Sequence, residues 1–168
     1  MNEPIVRLTR PSDVNALSTL DLKTYHYPLE LKKWKELAAQ SGKPTEPKVV
    51  VVEVVRKPVG FALWQELDEN VSRIIRLGVI QKCRFHGLGR LLIQKVVLHS
   101  QTAKKDRLRV ILPDIHCLPG DPDDVSGFLS KVGFHTTGEV VTDHCYMYGD
   151  WREGYVFERN IVHDSVRV

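Results

Sequence analysis

Gln81-Lys82-Cys83-Arg84-Phe85-His86-Gly87-Leu88-Gly89-Arg90 is the stretch on which the reading of this chain turns. It follows a strand-like run, residues 73–80, and opens a helix-like run, residues 91–100. Two glycines let a backbone come close to a ligand, and successive N–H groups can then converge on one cluster of oxygens. A helix start behind them adds roughly half a positive charge from its aligned peptide dipoles. With Lys82, Arg84 and Arg90 around it, the stretch has the makings of an anion cradle, and we read it as a pyrophosphate site.

Upstream, residues 5–8 form a short strand. Ser12 is placed to cap a helix whose stripe is Val14, Leu17, Leu20 and Leu22. Thr24-Tyr25-His26-Tyr27-Pro28 breaks that helix, because the residue before a proline avoids the helical region. Its aromatic pair could line a pocket or cap the core. A second helix is expected over 29–40, with Leu31, Trp34 and Leu37 on one side, and a loop over 41–47. Residues 48–56 are almost wholly β-branched, which predicts a strand buried on both faces. Lys57-Pro58 is the expected turn into a strand over 59–66, and residues 67–70 turn into a third strand over 71–80. This meander leads straight into the glycine loop.

Downstream, Leu88, Leu91, Leu92 and Val96 give the stripe of a helix packed on a sheet. The strand expected at 108–112 returns parallel to the one before the loop, by a right-handed crossover. A Pro/Gly/Asp-rich loop fills 115–124. A short helix over 125–132 starts at Asp123-Asp124 and ends at Gly133. Residues 134–141 and 155–161 read as two antiparallel strands that close the sheet, with Tyr146, Tyr148 and Trp151 in the segment between them, and the last seven residues are expected to fray. No internal repeat interrupts this order, so a single domain over 1–168 is expected.

Composition narrows the class. The chain is 42% hydrophobic and 27% charged, the balance of an ordinary globular protein. A net charge of +3, without a run of five basic residues, argues against a nucleic-acid partner. Three cysteines without CxxC spacing argue against a disulfide framework and for a reducing compartment. The first residues show no secretory pattern, and the longest apolar run, 49–52, is far short of the roughly 20 residues of a membrane span. A cytoplasmic protein with no membrane partner is the expectation. No HExxH or paired histidine spacing predicts a metal site.

Two nucleotide loops are excluded by spacing. A P-loop needs GxxxxGK[ST], and no Gly-Lys-Ser/Thr occurs. A Rossmann loop needs a third small residue where Leu92 stands. Arg84-Phe85-His86-Gly87-Leu88-Gly89 does fit [RQ]xxGxG. With the element order around it, the whole chain resembles the GNAT family of acetyl-CoA-dependent N-acetyltransferases. The resemblance implies an α/β fold, with a mixed, mostly antiparallel central sheet of about six or seven strands, a βαβ coenzyme-binding unit and flanking helices. It implies acetyl-CoA as co-substrate and an amine acceptor, which could be a protein, a peptide or a small amine. Leu77, Gly78 and Val79 would meet the pantetheine arm. Arg84, Phe85, His86, Gly87, Leu88, Gly89 and Arg90 would bind the pyrophosphate. Val132-Gly133-Phe134 matches the family's LGF. Within the family, the layout and the Tyr146-x-Tyr148…Trp151-Arg152-Glu153-Gly154 segment are loosely similar to RimI-like protein N-terminal acetyltransferases.

The catalytic half departs from the family. Where RimI-like members carry a tyrosine in the helix before LGF, this chain has Leu129. An early Asn in that helix is replaced by Asp121-Pro122-Asp123-Asp124, and a glutamate of the fifth strand has no counterpart in Val110-Ile111-Leu112. Candidates to replace them are Asp114, His116 or Glu66 facing the amine, and Tyr146 or Tyr148 supplying the acid. His86 reads as a cation beside phosphate. Cys83 lacks the partner histidine of a nucleophile. A module that binds acyl-CoA without catalysis is the alternative, and oligomeric state is left open.

Overall fold

Val49 and Val51 pack into one core while Val50 and Val52 pack into another, and all four are fully shielded from solvent. This alternation along one strand shows a sheet covered on both faces. The computed structural model describes residues 3–25, 27–40, 47–118, 120 and 124–162, with Tyr146 described by its main chain only. The expectations for His26, the 41–46 loop, Asp121-Pro122-Asp123 and the fraying tail beyond 162 lie outside the described residues.

Strands β1 (Ile5–Leu8), β2 (Lys48–Val54), β3 (Lys57–Glu66), β4 (Val71–Val79), β5 (Arg107–Pro113), β6 (His135–Met147) and β7 (Asp150–Asn160) form one seven-stranded sheet. Its order is β1-β2-β3-β4-β5-β7-β6, and every pair is antiparallel except β4 with β5. Helices α1 (Val14–Thr24) and α2 (Leu31–Gln40) cover one face, around Trp34, Phe61 and Leu63. Helix α3 (Leu88–Thr102) covers the other and buries Leu92, Ile93 and Val96 against β2, β3 and β4, and α4 (Ser126–Lys131) adds Leu129 to that same core.

Local differences from the sequence reading have physical causes. The helix start is not capped by Ser12: a 3-10 turn, Pro11–Asp13, precedes α1, and the Asp13 carboxylate is held by Arg7. Leu22 and Leu31 are exposed, so the helical stripes are narrower than predicted. The β2–β3 turn is made by Val55 and Arg56, both at positive φ (52° and 59°), not by Lys57-Pro58, which already belong to β3. The closing strands are a much longer hairpin than the 134–141 and 155–161 pair, and Tyr146 lies in a strand rather than a loop. Two bulges hide the strand period of β6. Four steps from Thr136 to Val140 match two on β7, from Phe157 to Tyr155, and four from Val141 to Cys145 match two, from Gly154 to Arg152.

Candidate active site

β4 and β5 are paired only at one end. Val71 to Ile74 run beside Arg107 to Val110, and beyond Ile74 and Val110 no pairing joins the two strands. The parting coincides with a bulge. Leu63 faces Arg76 and Trp64 faces Ile74, so Ile75 is an extra residue on β4. The bulge restores the side-chain directions on both sides. Ile74 and Leu77, three residues apart, both pack into the α3 core. Arg76 instead turns to α1, where its guanidinium meets the fully buried Asp21 at 2.7 Å.

Asp21 is shared by three donors. Besides Arg76 it accepts from the Leu29 N–H at 2.6 Å and from Trp34 Nε1 at 3.2 Å. Arg76 also donates to the Tyr27 carbonyl at 2.8 Å and lies 4.6 Å from the centre of the Tyr25 ring. This network clamps the α1–α2 connection onto β4. Gly78 permits the close approach: a Cβ there would stand 2.8 Å from Thr24 Oγ1 and 3.1 Å from Phe61 Cε1.

The clamp brings Tyr25 to the open edge of β4. Its hydroxyl accepts from the Leu77 N–H at 2.7 Å and donates to the Leu77 carbonyl at 3.1 Å. Main-chain groups alternate in direction along a strand, so Leu77 and Val79 face the opening and Gly78 faces β3. The Val79 carbonyl accepts from Arg84 Nε at 3.0 Å. Burial pushes the Tyr25 hydroxyl up to about 12, so it stays a donor through the ordinary pH range. The sequence left Tyr25 between pocket and core. What decides it is a contact across 52 positions, which no local spacing carries.

The glycine loop leaves β4 through a 3-10 turn, Gln81–Cys83, and passes Phe85 at φ 65°. Gly87, at φ 79°, is the N-cap of α3 and offers no side chain to the first helical N–H groups. Those groups are therefore available to an outside acceptor. Leu88 anchors the turn in the core, while Arg84, Phe85, His86 and Arg90 are exposed. His86 Nδ1 lies 2.7 Å from the Arg84 carbonyl. A Cβ on Gly89 would come within 3.1 Å of the Phe128 ring of α4, so the passage between α3 and α4 is narrow at that point. Two glycines, uncapped N–H groups and exposed cations at one mouth fit a pyrophosphate, and the parted strand edge behind them fits an extended thioester arm.

The catalytic candidates read from the sequence lie on the turn after β5, on the β6–β7 hairpin and, for Glu66, at the end of β3. Asp114 and His116 lie in a 3-10 turn after β5 (Asp114–His116). Asp114 accepts from its neighbour Ile115 N at 2.8 Å and lies 3.9 Å from Arg152. It lines a groove of about 610 Å³ with Arg152, Tyr155 and Phe157. Tyr148 is exposed at the hairpin tip, at φ 55°, and the side chain of Tyr146 is outside the described atoms. Glu66 is not at the opening. It sits beside Ser72, at the paired end of β4, with Lys48 at 3.0 Å and Lys105 at 3.4 Å. Burial would raise its carboxyl, but the two lysines outweigh that and hold it below its ordinary value. Leu129 is a core residue, 1% exposed. Burial, with Asp124 and Asp114, pushes the Cys117 thiol up to about 11, which removes it as a nucleophile near neutral pH. Among the described residues no group of three or more His, Cys, Asp or Glu could hold a metal ion, and no helix is long and apolar enough to cross a membrane.

The fold has many solved counterparts. Ribosomal-protein-S18-alanine N-acetyltransferase from Escherichia coli superposes with a TM-score of 0.75 at 12% identity, over 99% of this chain and 99% of that one. Ard1 from Thermoplasma volcanium gives 0.77 at 18%, over 95% and 99%. Arabidopsis thaliana NAA60, solved in complex with a bisubstrate analogue, gives 0.76 at 13%, over 94% and 98%. At these identities the likeness is one of fold. No curated protein matches the chain in sequence. The profile of the acetyltransferase (GNAT) family matches residues 14–124, from α1 through the β4 bulge, the glycine loop and β5. The chain belongs to the GNAT family of acetyltransferases and, as its strand opening and glycine loop fit, to the N-acyltransferase class of enzymes.

Proposed function

We propose that this protein moves the acetyl group of acetyl-CoA directly to an amine, with both held at the opening between β4 and β5. One observation carries the reading: the strand edge that β5 abandons after Ile74 runs straight into the uncapped N-terminus of α3. A ligand that is anionic at one end and extended at the other fits that path. One sheet running from Ile5 to Asn160 supports a single catalytic unit.

Acetyl-CoA supplies an activated acyl group. The protein's part is to place it and to manage charge and protons. The α3 N–H groups, with Arg84, His86 and Arg90, bind the pyrophosphate. Tyr25 engages both main-chain groups of Leu77 and Arg84 the Val79 carbonyl, so the Val79 N–H is the group this edge offers to the arm. The Tyr25 hydroxyl, already tethered to the Leu77 N–H, can turn its proton from the Leu77 carbonyl to a carbonyl oxygen that gathers negative charge. The acceptor approaches from the α1–α2 face, where none of the described helices covers the sheet beyond β4.

The acceptor class is an amine on a peptide, a protein or a small molecule. The test is thiol release from acetyl-CoA by the purified chain across a panel of N-terminal peptides, lysine peptides and small amines. Acetylated product from at least one class is expected. Tight coenzyme binding with no turnover on any class would instead identify an acyl-CoA-binding module.

A further inference from the structure

The catalytic half of the site has a further candidate on β6, beyond those offered by the sequence. The second β6 bulge, with Asp143 at φ 49°, turns His144 over β7. A Cβ on Gly154 would stand 2.7 Å from His144 Cγ, 2.9 Å from its Cβ and 2.5 Å from Ile111 Cγ2. Gly154 is therefore the floor on which the imidazole lies, with Ile111 beside it. Both floor residues belong to the stretch beyond the parting. Ile111 follows Val110, the last β5 residue paired with β4, and Gly154 pairs with Pro113. Both also point away from α3. Leu108, Val110 and Leu112 of β5, and Tyr155 and Phe157 of β7, pack with the α3 core, so the residues between them face the other side. That is the face on which Tyr25 and Arg76 stand, and the one an acceptor would enter.

We propose that His144 is the base that takes the proton of the incoming amine. This rests on the acetyltransferase reading and puts on β6 the role for which the sequence offered Asp114 or His116. Burial and then the charge of Arg73 hold the His144 imidazole below its ordinary value, so it is neutral at pH 7. Arg73 lies on β4 one residue before the parting, its Nε is buried without a partner, and no carboxylate among the described residues is within ion-pair distance of it. Ile111 and Gly154 bring no charge to the ring, and Asp114 and Arg152 act on the neighbouring Cys145.

The step balances. His144 removes one proton from R–NH3+ and passes it to solvent. The freed nitrogen pair forms a C–N bond to the thioester carbonyl carbon, the C–S bond breaks with its pair on sulfur, and the sulfur takes a second nitrogen proton. The products are the amide, CoA thiol and one proton.

The experiment is the pH dependence of kcat at saturating acetyl-CoA and acceptor, beside an NMR titration of the His144 ring in the intact protein. The wild type should lose activity along an acidic limb centred below 6.5, coincident with the ring titration. His144→Gln should lower kcat by about 10²-fold or more and abolish that limb, with coenzyme affinity unchanged. Arg73→Met should move both limb and ring titration to higher pH. Gly154→Ala, which pushes the ring off its floor, should lose rate as His144→Gln does. A folded, coenzyme-binding His144→Gln enzyme with wild-type kcat and limb overturns the assignment and leaves the acetyltransferase reading standing. A wild type that binds coenzyme but acetylates nothing overturns both.

Discussion

The Tyr25 hydroxyl holds both main-chain groups of Leu77, accepting from its N–H at 2.7 Å and donating to its carbonyl at 3.1 Å. A neighbouring strand would normally satisfy such groups. Here a side chain from the end of α1 does so, at the place where β5 has turned away.

Tyr25→Phe should leave two main-chain groups to find water and cost about 1–3 kcal/mol of stability. The pH dependence gives a sharper readout. The folded hydroxyl is raised from 10.0 to about 12. Its contribution is therefore fully present below pH 10 and lost as the pH rises towards 12. The stability difference between wild type and Tyr25→Phe, from denaturant titrations at several pH values, should shrink over that window. A difference that grows with pH would contradict the assignment.

Gly89→Glu should remove coenzyme binding. Its Cβ would press on Phe128 at 3.1 Å, and its carboxylate would lie at the α3 N-terminus, where it fills the anion site from within. Calorimetry should show at least about a 100-fold weaker affinity for acetyl-CoA, or about 2.7 kcal/mol. Circular dichroism should stay native. Unchanged affinity would remove the loop from the coenzyme site.

Arg76→Met strands a buried carboxylate. Asp21 would keep only the Leu29 N–H and Trp34 Nε1 as donors. Breaking a buried pair from one side costs about 3–5 kcal/mol. Chemical denaturation should show that loss, and the clamp on Tyr25 should loosen with it, so turnover should fall more than coenzyme affinity does.

The glycine turn into α3 and the buried β-branched strand before it could be read directly, because each needs particular residues at fixed local spacing. The parting of β4 and β5 could be inferred only through the family. It depends on one extra residue, Ile75, in a strand whose composition gives no sign of a bulge. The length of the closing hairpin was hidden because two bulges, near Gly138 and Asp143, break the alternation by which a strand is recognised. The position of His144 was hidden for the same reason. Its place above Gly154 is a contact between two strands, and neither residue marks it alone. Glu66 stayed a candidate beside its plainer reading as a hairpin-end charge because such an acid looks alike at either end of a strand, and only the register shows it beside Ser72 rather than Leu77.

Transfer at the strand opening is direct in this proposal, without an acyl-enzyme. Rapid mixing of the protein with acetyl-CoA, in the presence and absence of a competent amine, tests it most directly, with free thiol followed from the first turnover. Direct transfer should release thiol only when the amine is present, with one thiol per acetylated acceptor and no acetyl group on the protein. A thiol burst equal to the enzyme concentration without amine, with the acetyl group found by mass on Cys83 or another side chain, would contradict it.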